Sequence, residues 1–255
     1  MIISRKNSSI PSCLSHYTSE NGLKGICCKE YICIRAYSNQ CKNDQEEIKI
    51  GKKILDCARV SFDTKQRFHN LLDYQKSASI SFTENGTTDY MVKEYGGYRL
   101  DFDLRDYKSR EFICDHVFEC EYVNGNDIDV YACEYSQFIK NNYTIMHEHP
   151  ADLLERLEDH IMMVNDLILK PFLVKKDVWG NEKEWRLIFF LGESTNLDDD
   201  KPYKNIEIPK KTLKRVVIFV ACGCFWSGLK KWFEIIMLLY GRGYYIPIVM
   251  KNIKK

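Results

Sequence analysis

Hydrophobic and polar residues alternate along several short segments of the chain and recur at helical spacing in others. Alternation predicts strands, because successive side chains of a strand point to opposite faces of a sheet. Strands are predicted over residues 31–36, 77–83, 98–104, 118–123, 128–133, 182–191, 215–221 and 244–249, with another near Ile206. The turn residues Asn124, Gly125 and Asn126 predict a hairpin that joins the 118–123 and 128–133 strands.

Apolar residues three and four positions apart predict the helices. The first helix begins after Thr18 or Ser19, since either hydroxyl can cap it. Further helices are predicted after Asn43 and Asp44, around residues 68–72, and over residues 89–95, 151–170 and 227–240. Strands outnumber helices and mix hairpins with crossovers, so the predicted fold is α+β, with a mixed, mostly antiparallel central sheet flanked by helices. Because the composition shows no break, residues 1–255 are predicted to form a single domain.

The last predicted helix carries a large apolar face. This face comprises Trp226, Trp232, Phe233, Ile236 and Met237. Large apolar faces are usually buried in soluble proteins, so we expect these residues to belong to the core and not to an interface.

Positive and negative charges are nearly balanced, with 37 lysines and arginines and 36 aspartates and glutamates. No overall field therefore indicates nucleic acid or an anionic membrane as the partner, although a local groove could still be basic. The longest uncharged run, residues 216–229, is too short to span a bilayer, and residues 1–11 lack the apolar segment of a signal peptide. These features predict a cytoplasmic protein with no membrane partner.

The eleven cysteines are scattered without a Cys-x-x-Cys pair, and buried free thiols are their expected state. His147 and His149 form a His-x-His on a loop that enters a helix. Two ligands do not define a metal site, so a solvated loop is the favoured interpretation and no metal is predicted.

The clearest chemical pattern is that of Glu182, Glu184 and Arg186, which precede an apolar run at residues 187–191. On a strand these three side chains share one face. Two carboxylates about 7 Å apart can take different protonation states, with one ionised and the pKa of the other raised so that it tends to be neutral. The guanidinium can hold the two side chains in position. The alternative interpretation is a solvated strand face that carries ordinary charges.

Five short motifs follow one another along the chain. They are His16-Tyr17-Thr18, Asn43-Asp44-Gln45-Glu46-Glu47, Ser81-Phe82-Thr83, Met91-Val92-Lys93-Glu94-Tyr95 and Glu182-Lys183-Glu184-Trp185-Arg186. In this order and spacing they resemble a bacterial family known as domain of unknown function 2971, and the resemblance covers nearly the whole chain. Gln45 replaces the usual proline of that family and Val92 its usual tryptophan, and both departures look structural.

A histidine on an early strand, a tyrosine in the middle and a glutamate on a late strand also resemble the His-Tyr-Glu constellation of ADP-ribosyltransferases similar to diphtheria toxin. Those enzymes take NAD as substrate. The resemblance implies that His16 with Thr18 holds the NAD ribose and the nicotinamide amide, that Tyr95 stacks on nicotinamide, and that Glu184 stabilises positive charge. Tyr90 and Tyr98 lie near Tyr95 in the sequence and are alternatives to it.

The same resemblance implies that Glu182 accepts a proton from the nucleophile, and that Arg186 keeps a carboxylate ionised or binds a phosphate. The other expected NAD contacts are Tyr17, Ser81, Asn43 and Asp44. The predicted function is therefore that of an ADP-ribosyltransferase-like protein that cleaves NAD and transfers ADP-ribose to an unknown acceptor. Such folds often serve as toxins or antiphage effectors.

Two other classes of function fit the same residues. One is a noncatalytic module that binds a nucleotide or a partner protein. The other is a phosphate- or RNA-processing enzyme in which Lys175, Lys176 and Arg186 contact phosphates. Dense arginine and lysine around His16 would favour this enzyme, whereas a narrow pocket floored by an aromatic ring would favour NAD.

Overall fold

The computed structural model describes residues 10–38, 50, 53, 77–84, 89–105, 117–135, 137, 172–190, 196–198, 201–221 and 224–253. The strands in these residues are β1 Leu14–Thr18, β2 Ile32–Tyr37, β3 Ser77–Thr83, β4 Tyr98–Phe102, β5 Phe118–Glu119, β6 Glu121–Val123, β7 Val174–Lys176, β8 Glu184–Phe190, β9 Asn196–Asp198, β10 Lys201–Ile208, β11 Leu213–Ala221 and β12 Ile248–Ile253. The helices are α1 Glu20–Ile26, α2 Asp89–Tyr95, α3 at residues 128–135 and α4 Phe225–Gly241. Two 3₁₀ helices cover Asp177–Glu182 and Lys210–Thr212.

Strands β12, β11, β4, β1, β3, β8 and β5 form one seven-stranded sheet in that order. Its neighbouring strands are antiparallel except β11 and β12, which are parallel. Strands β2, β10 and β9 form an antiparallel three-stranded sheet, and β6 and β7 form a parallel pair. The predicted α+β class with a mixed, mostly antiparallel central sheet is confirmed in the described residues.

The seven-stranded sheet is almost divided in two. Strand β1 pairs with β4 along its whole length, and β3 pairs with β8 from end to end. Within the described residues, β1 and β3 share only the pair Ser15 and Thr83. Beyond this pair, toward Tyr17 and Ser81, none of the described residues of the two strands pair with each other, and we call this unpaired stretch the strand gap. It lies between a β1 half (β12, β11, β4 and β1) and a β8 half (β3, β8 and β5).

One face of this sheet is apolar and forms the main core. Leu100, Phe82 and Trp185 are buried on it, and they come from strands of both halves. Helices α1 and α4 and the three-stranded sheet cover this face with the side chains of Leu23, Ile26, Ile34, Ile206, Ile235 and Leu239. Because side chains alternate along a strand, the intervening residues point to the opposite face, where the charged residues gather.

Helix α1 begins where the sequence predicts. The Ser19 side chain accepts a hydrogen bond from the backbone N–H of Gly22 at 3.1 Å, so Ser19 is the cap. Of the two predicted capping residues, Thr18 instead ends strand β1.

The predicted hairpin between residues 118–123 and 128–133 is wrong. Its first part forms the short strands β5 and β6, but residues 128–135 form helix α3. Ile128, Ala132 and Tyr135 are buried, which is the spacing of one face of a helix. The Asp127 carbonyl accepts the backbone N–H of Tyr131 at 2.8 Å, as in the first turn of a helix. In so short a segment the two periodicities overlap, and burial decides between them.

The prediction that the apolar face of the terminal helix lies in the core holds only in part: Trp232 is partly buried against the core, whereas three of the five residues are exposed. In α4, Trp226 is 79 % exposed, and Phe233 and Met237 are each 60 % exposed. The packed stripe contains Gly228 and Ile235 instead. A Cβ at Gly228 would lie 2.7 Å from the Val220 side chain, so the missing side chain lets this stripe approach β11 closely.

The last strand begins later than predicted. Strand β12 starts at Ile248, directly after Pro247, whereas the predicted strand covers residues 244–249. Proline has no N–H to donate to a ladder, and here its carbonyl accepts the backbone N–H of Val216 at 3.0 Å.

Several predictions fall outside the described residues. They are the helices around residues 68–72 and over residues 151–170, together with the His147 and His149 pair. Of the helix predicted after Asn43 and Asp44, residues 50 and 53 are described, and both are helical. The described cysteines are free thiols, of which Cys27 and Cys120 are buried but Cys13, Cys133 and Cys224 are exposed, so the expectation of buried thiols holds only in part. None of the described helices combines the length and the apolar character needed to cross a membrane.

Candidate active site

A row of polar side chains crosses the sheet on the face opposite the core. Residues paired between neighbouring strands share a face, and the register pairs Asp101 with Ser15 and Ser15 with Thr83. Thr83 pairs in turn with Glu184, and Arg215 pairs with Asp101 at the other end of the row. The row therefore passes through the Ser15–Thr83 pair, which joins the two halves in the described part of the chain.

The chain reaches Glu184 by a path that the sequence did not indicate. A 3₁₀ helix ends at Glu182, and strand β8 begins only at Glu184. Between them Lys183 has φ 43° and ψ 56°, a left-handed conformation that residues other than glycine seldom adopt. The predicted strand over residues 182–191 is therefore wrong at its start, although Glu184 and Arg186 share a strand face as expected.

Strand β3 holds this left-handed turn. The Thr83 hydroxyl donates to the Glu182 carbonyl oxygen, and the Glu84 backbone N–H donates to the Lys183 carbonyl at 3.1 Å. These bonds satisfy backbone groups that a turn would otherwise leave unpaired. The turn is thus fixed beside Thr83, at the closed end of the strand gap.

Lys175 of β7 is the cation that the two glutamates share. Its Nζ lies 2.6 Å from Glu182 Oε2 and 2.7 Å from Glu184 Oε2. All three side chains are buried, with no more than 7 % of any residue exposed. A buried charge is costly unless it is paired, so each of these groups depends on the others.

Arg186 completes the pairing of Glu184. Its Nε donates to Glu184 Oε1 at 2.7 Å and its Nη2 to Oε2 at 3.0 Å, a bidentate arrangement. Its Nη1 donates to the Phe172 carbonyl at 2.7 Å. The guanidinium therefore holds Glu184, whereas the link between the two glutamates is made by Lys175. We call these four side chains the glutamate network.

Tyr95, the last residue of α2, contacts this network from the solvent side. Its hydroxyl lies 3.5 Å from Glu182 Oε1, and the residue is 48 % exposed. Burial of the hydroxyl raises the pKa of Tyr95, and the negative charge of Glu182 raises it further. The phenol therefore keeps its proton and acts as the donor to Glu182.

Gly96 fixes the position of Tyr95 relative to β1. It has φ 117°, and a Cβ there would lie 2.5 Å from the Thr18 carbonyl oxygen. Only glycine accepts both this conformation and this close approach. The end of α2 consequently rests on the end of β1, so that Tyr95 and Thr18 come from segments in direct contact.

His16 lies on the core face of β1, opposite to the face that carries Glu184. Its ring centroid is 5.8 Å from that of Phe82, and its Nδ1 is 3.0 Å from the Ser81 carbonyl oxygen. Burial lowers the pKa of His16, so the ring is neutral at pH 7, and Nδ1 must carry the proton that it donates to the carbonyl. The imidazole therefore bridges the strand gap from the core side.

Tyr17 and Ser81 lie on the two sides of the strand gap, on the face of the glutamate network. Tyr17 stacks on Phe219 with ring centroids 6.1 Å apart, and burial raises its pKa to about 12. Within the described part of the chain, its buried hydroxyl has no hydrogen-bond partner. Ser81 pairs with Arg186 across β3 and β8.

The structure separates the three candidate tyrosines. Tyr98 is buried on the core face of β4, and its hydroxyl donates to Glu20 at 3.1 Å. Tyr90 packs against Trp179 with ring centroids 6.4 Å apart, at the edge of the network. Tyr95 is the one of the three whose hydroxyl contacts Glu182.

Most of the predicted site residues are thus connected. Tyr95, Glu182, Glu184 and Arg186 form one cluster, and Ser81 adjoins it in the sheet register. His16 and Tyr17 reach the strand gap from opposite faces, and Thr18 contacts the end of α2. The predicted NAD contacts Asn43 and Asp44 lie outside the described residues.

Sequence reasoning missed two residues that hold the site. The motifs suggest Lys175 only as a phosphate contact, although its position directly after the apolar residues 172–174 is a sign of burial. No local pattern indicates Tyr122, whose hydroxyl accepts the Glu184 backbone N–H at 2.8 Å. The pairing of Tyr122 with Lys175 between β6 and β7 brings both residues to the network.

A second charged cluster lies on the same face in the β1 half. Asp101 is buried and accepts hydrogen bonds from the Ser15 hydroxyl at 2.8 Å, from Arg99 Nη2 at 3.0 Å and from Arg215 Nε at 2.6 Å. We call these residues the Asp101 cluster. Two guanidiniums thus share one carboxylate.

The fold and the site together define an α+β protein with a buried, cation-bridged glutamate pair. Comparisons of the chain with protein-family models, curated proteins and solved structures gave no match. The family resemblance therefore stays a prediction from the motifs. Among the described residues, no group of three or more His, Cys, Asp or Glu side chains could hold a metal ion.

Proposed function

We propose that this chain is an ADP-ribosyltransferase-like protein, related to the family known as domain of unknown function 2971, and that it cleaves NAD. The observation that carries the proposal is the contact of Tyr95 with Glu182 in a glutamate pair at the closed end of the strand gap. Cleavage of NAD needs negative charge beside the ribose and an aromatic surface for the departing ring. The pair and the half-exposed tyrosine supply these two features.

In the proposed reaction, the bond between ribose C1′ and the nicotinamide nitrogen breaks, and nicotinamide leaves with the bonding electrons. Positive charge develops on the ribose, and a fixed carboxylate beside it favours the transition state over the ground state. A nucleophilic atom of the acceptor then bonds to C1′, and its proton passes to Glu182. The exposed ring of Tyr95 holds nicotinamide by stacking.

The position of His16 constrains how NAD binds. His16 approaches the strand gap from the core face, whereas Glu182 and Glu184 lie on the opposite face. NAD can contact both groups only if it enters the strand gap between β1 and β3. In this arrangement Nδ1 of His16 stays bonded to Ser81, and Nε2 accepts a hydrogen bond from the nicotinamide amide or the ribose.

We also propose an acceptor class and a cellular role for the protein. The acceptor is a macromolecule that the site does not identify, and the protein acts in the cytoplasm as a toxin or an antiphage effector. Cell death on overexpression, abolished by Glu182→Gln, is the expected cellular result.

The decisive test measures NAD binding and nicotinamide release. We expect binding by isothermal titration calorimetry and release of nicotinamide when NAD and cell lysate are added to the wild-type protein. Glu134→Gln is the matched control, because Glu134 is an exposed glutamate on α3. If the wild-type protein neither binds NAD nor releases nicotinamide, the proposal is refuted.

A second candidate is a noncatalytic module that binds a nucleotide or a partner. The observation that favours it is that the two carboxylates and two cations of the glutamate network are buried and mutually compensated, as in a structural ion cluster. This candidate predicts nucleotide binding without nicotinamide release, and a phenotype that is unchanged in Glu184→Gln and also in Glu182→Gln, whereas the transferase loses its phenotype in Glu182→Gln. The phosphate- or RNA-processing alternative is less well supported, because Lys175 and Arg186 are engaged by the glutamates.

A further inference from the structure

The two glutamates of the network differ in how fully their oxygens are occupied. Glu184 accepts hydrogen bonds from Nε and Nη2 of Arg186 and from Nζ of Lys175, so that both of its oxygens have cationic donors. Its backbone is also held, since its N–H donates to Tyr122 and its carbonyl accepts the N–H of Cys120, each at 2.8 Å. Glu184 is therefore bound on both its side chain and its backbone.

Glu182 has a less occupied carboxylate. Lys175 donates to its Oε2 at 2.6 Å, whereas its Oε1 faces the Tyr95 hydroxyl at 3.5 Å. That distance is at the outer limit of a hydrogen bond, so the contact is weak and is readily exchanged for a better donor. Glu182 thus has an acceptor oxygen that a ligand can take over at small cost.

The route from solvent also leads to Glu182. Tyr95 is half exposed, and the hydroxyl end of its side chain contacts Glu182. A ring that moves aside, or on which a ligand stacks, uncovers Oε1 of Glu182 first. Glu184 is enclosed by Lys175, Arg186 and Tyr122.

We infer that Glu182, reached past the Tyr95 ring, is the carboxylate that contacts the ligand, and that Glu184 anchors strand β8 and the cations. This reverses the order of importance that the sequence motif suggests, in which Glu184 is the principal residue. The part of the inference that concerns turnover rests on the proposed function.

The first test compares Glu182→Gln with Glu184→Gln in nicotinamide release and thermal melting. We expect Glu182→Gln to lower kcat by about 100-fold or more, the usual effect of losing a positioned acid–base group, while its melting temperature falls less than that of Glu184→Gln, because Lys175 keeps Glu184 as a partner. Glu184→Gln should lower the melting temperature by about 8 °C, because it leaves buried cations short of a partner. It should retain more turnover per folded molecule than Glu182→Gln. Turnover lost in Glu184→Gln with unchanged melting, and kept in Glu182→Gln, would overturn the inference.

A second measurement does not depend on NAD turnover. Carboxylates of native protein are coupled to an amine with a carbodiimide, and the modified residues are quantified by mass spectrometry. Tyr95→Ala should increase the modification of Glu182 and leave that of Glu184 unchanged, with exposed Glu134 as the internal standard. Equal modification of the two glutamates in Tyr95→Ala would refute the inference. If the wild-type protein neither binds nor cleaves NAD, the proposed function fails, and this measurement alone decides which glutamate is accessible.

Discussion

The glutamate network and the Asp101 cluster lie on the same face of one sheet, on opposite sides of the Ser15–Thr83 pair. Both place buried carboxylates beside guanidiniums, although the Arg215 side chain of the Asp101 cluster is 43 % exposed. In the Asp101 cluster one carboxylate serves two guanidiniums and a hydroxyl. In the glutamate network two carboxylates share two cations, and one carboxylate oxygen has only a long contact with a half-exposed tyrosine.

This difference separates a structural cluster from a candidate active site. Asp101 connects β1, β4 and β11 through Ser15, Arg99 and Arg215. Both of its carboxylate oxygens accept hydrogen bonds of 3.0 Å or shorter from these side chains. The glutamate network contains a redundant carboxylate, so that Glu184 can hold the cations while Glu182 contacts a ligand. Burial and charge alone do not distinguish the two clusters, whereas the occupancy of the carboxylate oxygens does.

The largest expected effect is that of Asp101→Asn. The substitution leaves Arg99 buried without its counter-ion, and the loss of one member of a buried pair costs about 3–5 kcal/mol of unfolding free energy. Urea unfolding measures this loss. Asp103→Asn is the matched control, since Arg105 holds the pKa of Asp103 down to about 2 in a partly exposed pair, which is worth about 1 kcal/mol or less. Equal losses in the two variants would show that the Asp101 cluster is not a structural tie.

A smaller loss is expected from Glu184→Gln, about 2–3 kcal/mol of unfolding free energy, because Glu182 remains as a partner for Lys175. The double substitution Glu182→Gln with Glu184→Gln should therefore cost more than the sum of the two single substitutions. Urea unfolding of the three variants gives this coupling. Strict additivity would contradict the view that one glutamate substitutes for the other.

The sequence predicted most strands of the two clusters, but neither β7, which carries Lys175, nor how the glutamate pair is built. Alternation along β8 correctly placed Glu184 and Arg186 on one face. It could not indicate the left-handed Lys183, since that conformation is imposed by contacts with Thr83 and Glu84, which are distant in the sequence. The predicted pair on one strand is in fact two segments that meet at a turn.

The sequence does not indicate the partners of the glutamate pair for a related reason. Lys175 reaches the glutamates because β7 pairs with β6 in parallel, and no local pattern fixes such a pairing. The resemblance assigns His16 and Glu184 to one NAD site, but the register of β1 with β3 and β4 turns His16 to the core face. Local periodicity gives the face of a residue within its own strand, and only the register relates that face to another strand.

Gly96→Ala tests how Tyr95 is joined to the β1 half. The added Cβ would lie 2.5 Å from the Thr18 carbonyl, and the positive φ would be strained, so a loss of about 2 kcal/mol is expected. Chemical denaturation measures this loss of unfolding free energy. Gly25→Ala is the control, because nothing lies within 4 Å of a Cβ there and alanine in helix α1 should stabilise by about 0.5–1 kcal/mol. A neutral Gly96→Ala would mean that α2 is not held against β1.

The smallest expected effect concerns His16, which links the two halves across the strand gap. Burial holds its pKa below the ordinary value of 6.5, even though the bond to the Ser81 carbonyl favours the charged form. The unfolded chain therefore binds the proton more readily than the folded chain. Stability falls as the pH drops below about 6.5, and it stops falling once the pH is below the pKa of His16 in the folded protein. In that window the wild type should lose up to about 1.4 kcal/mol per pH unit relative to His16→Asn. Urea unfolding of both proteins across this range measures the difference, and parallel pH profiles would mean that the imidazole is solvated and that the strand gap is open to water.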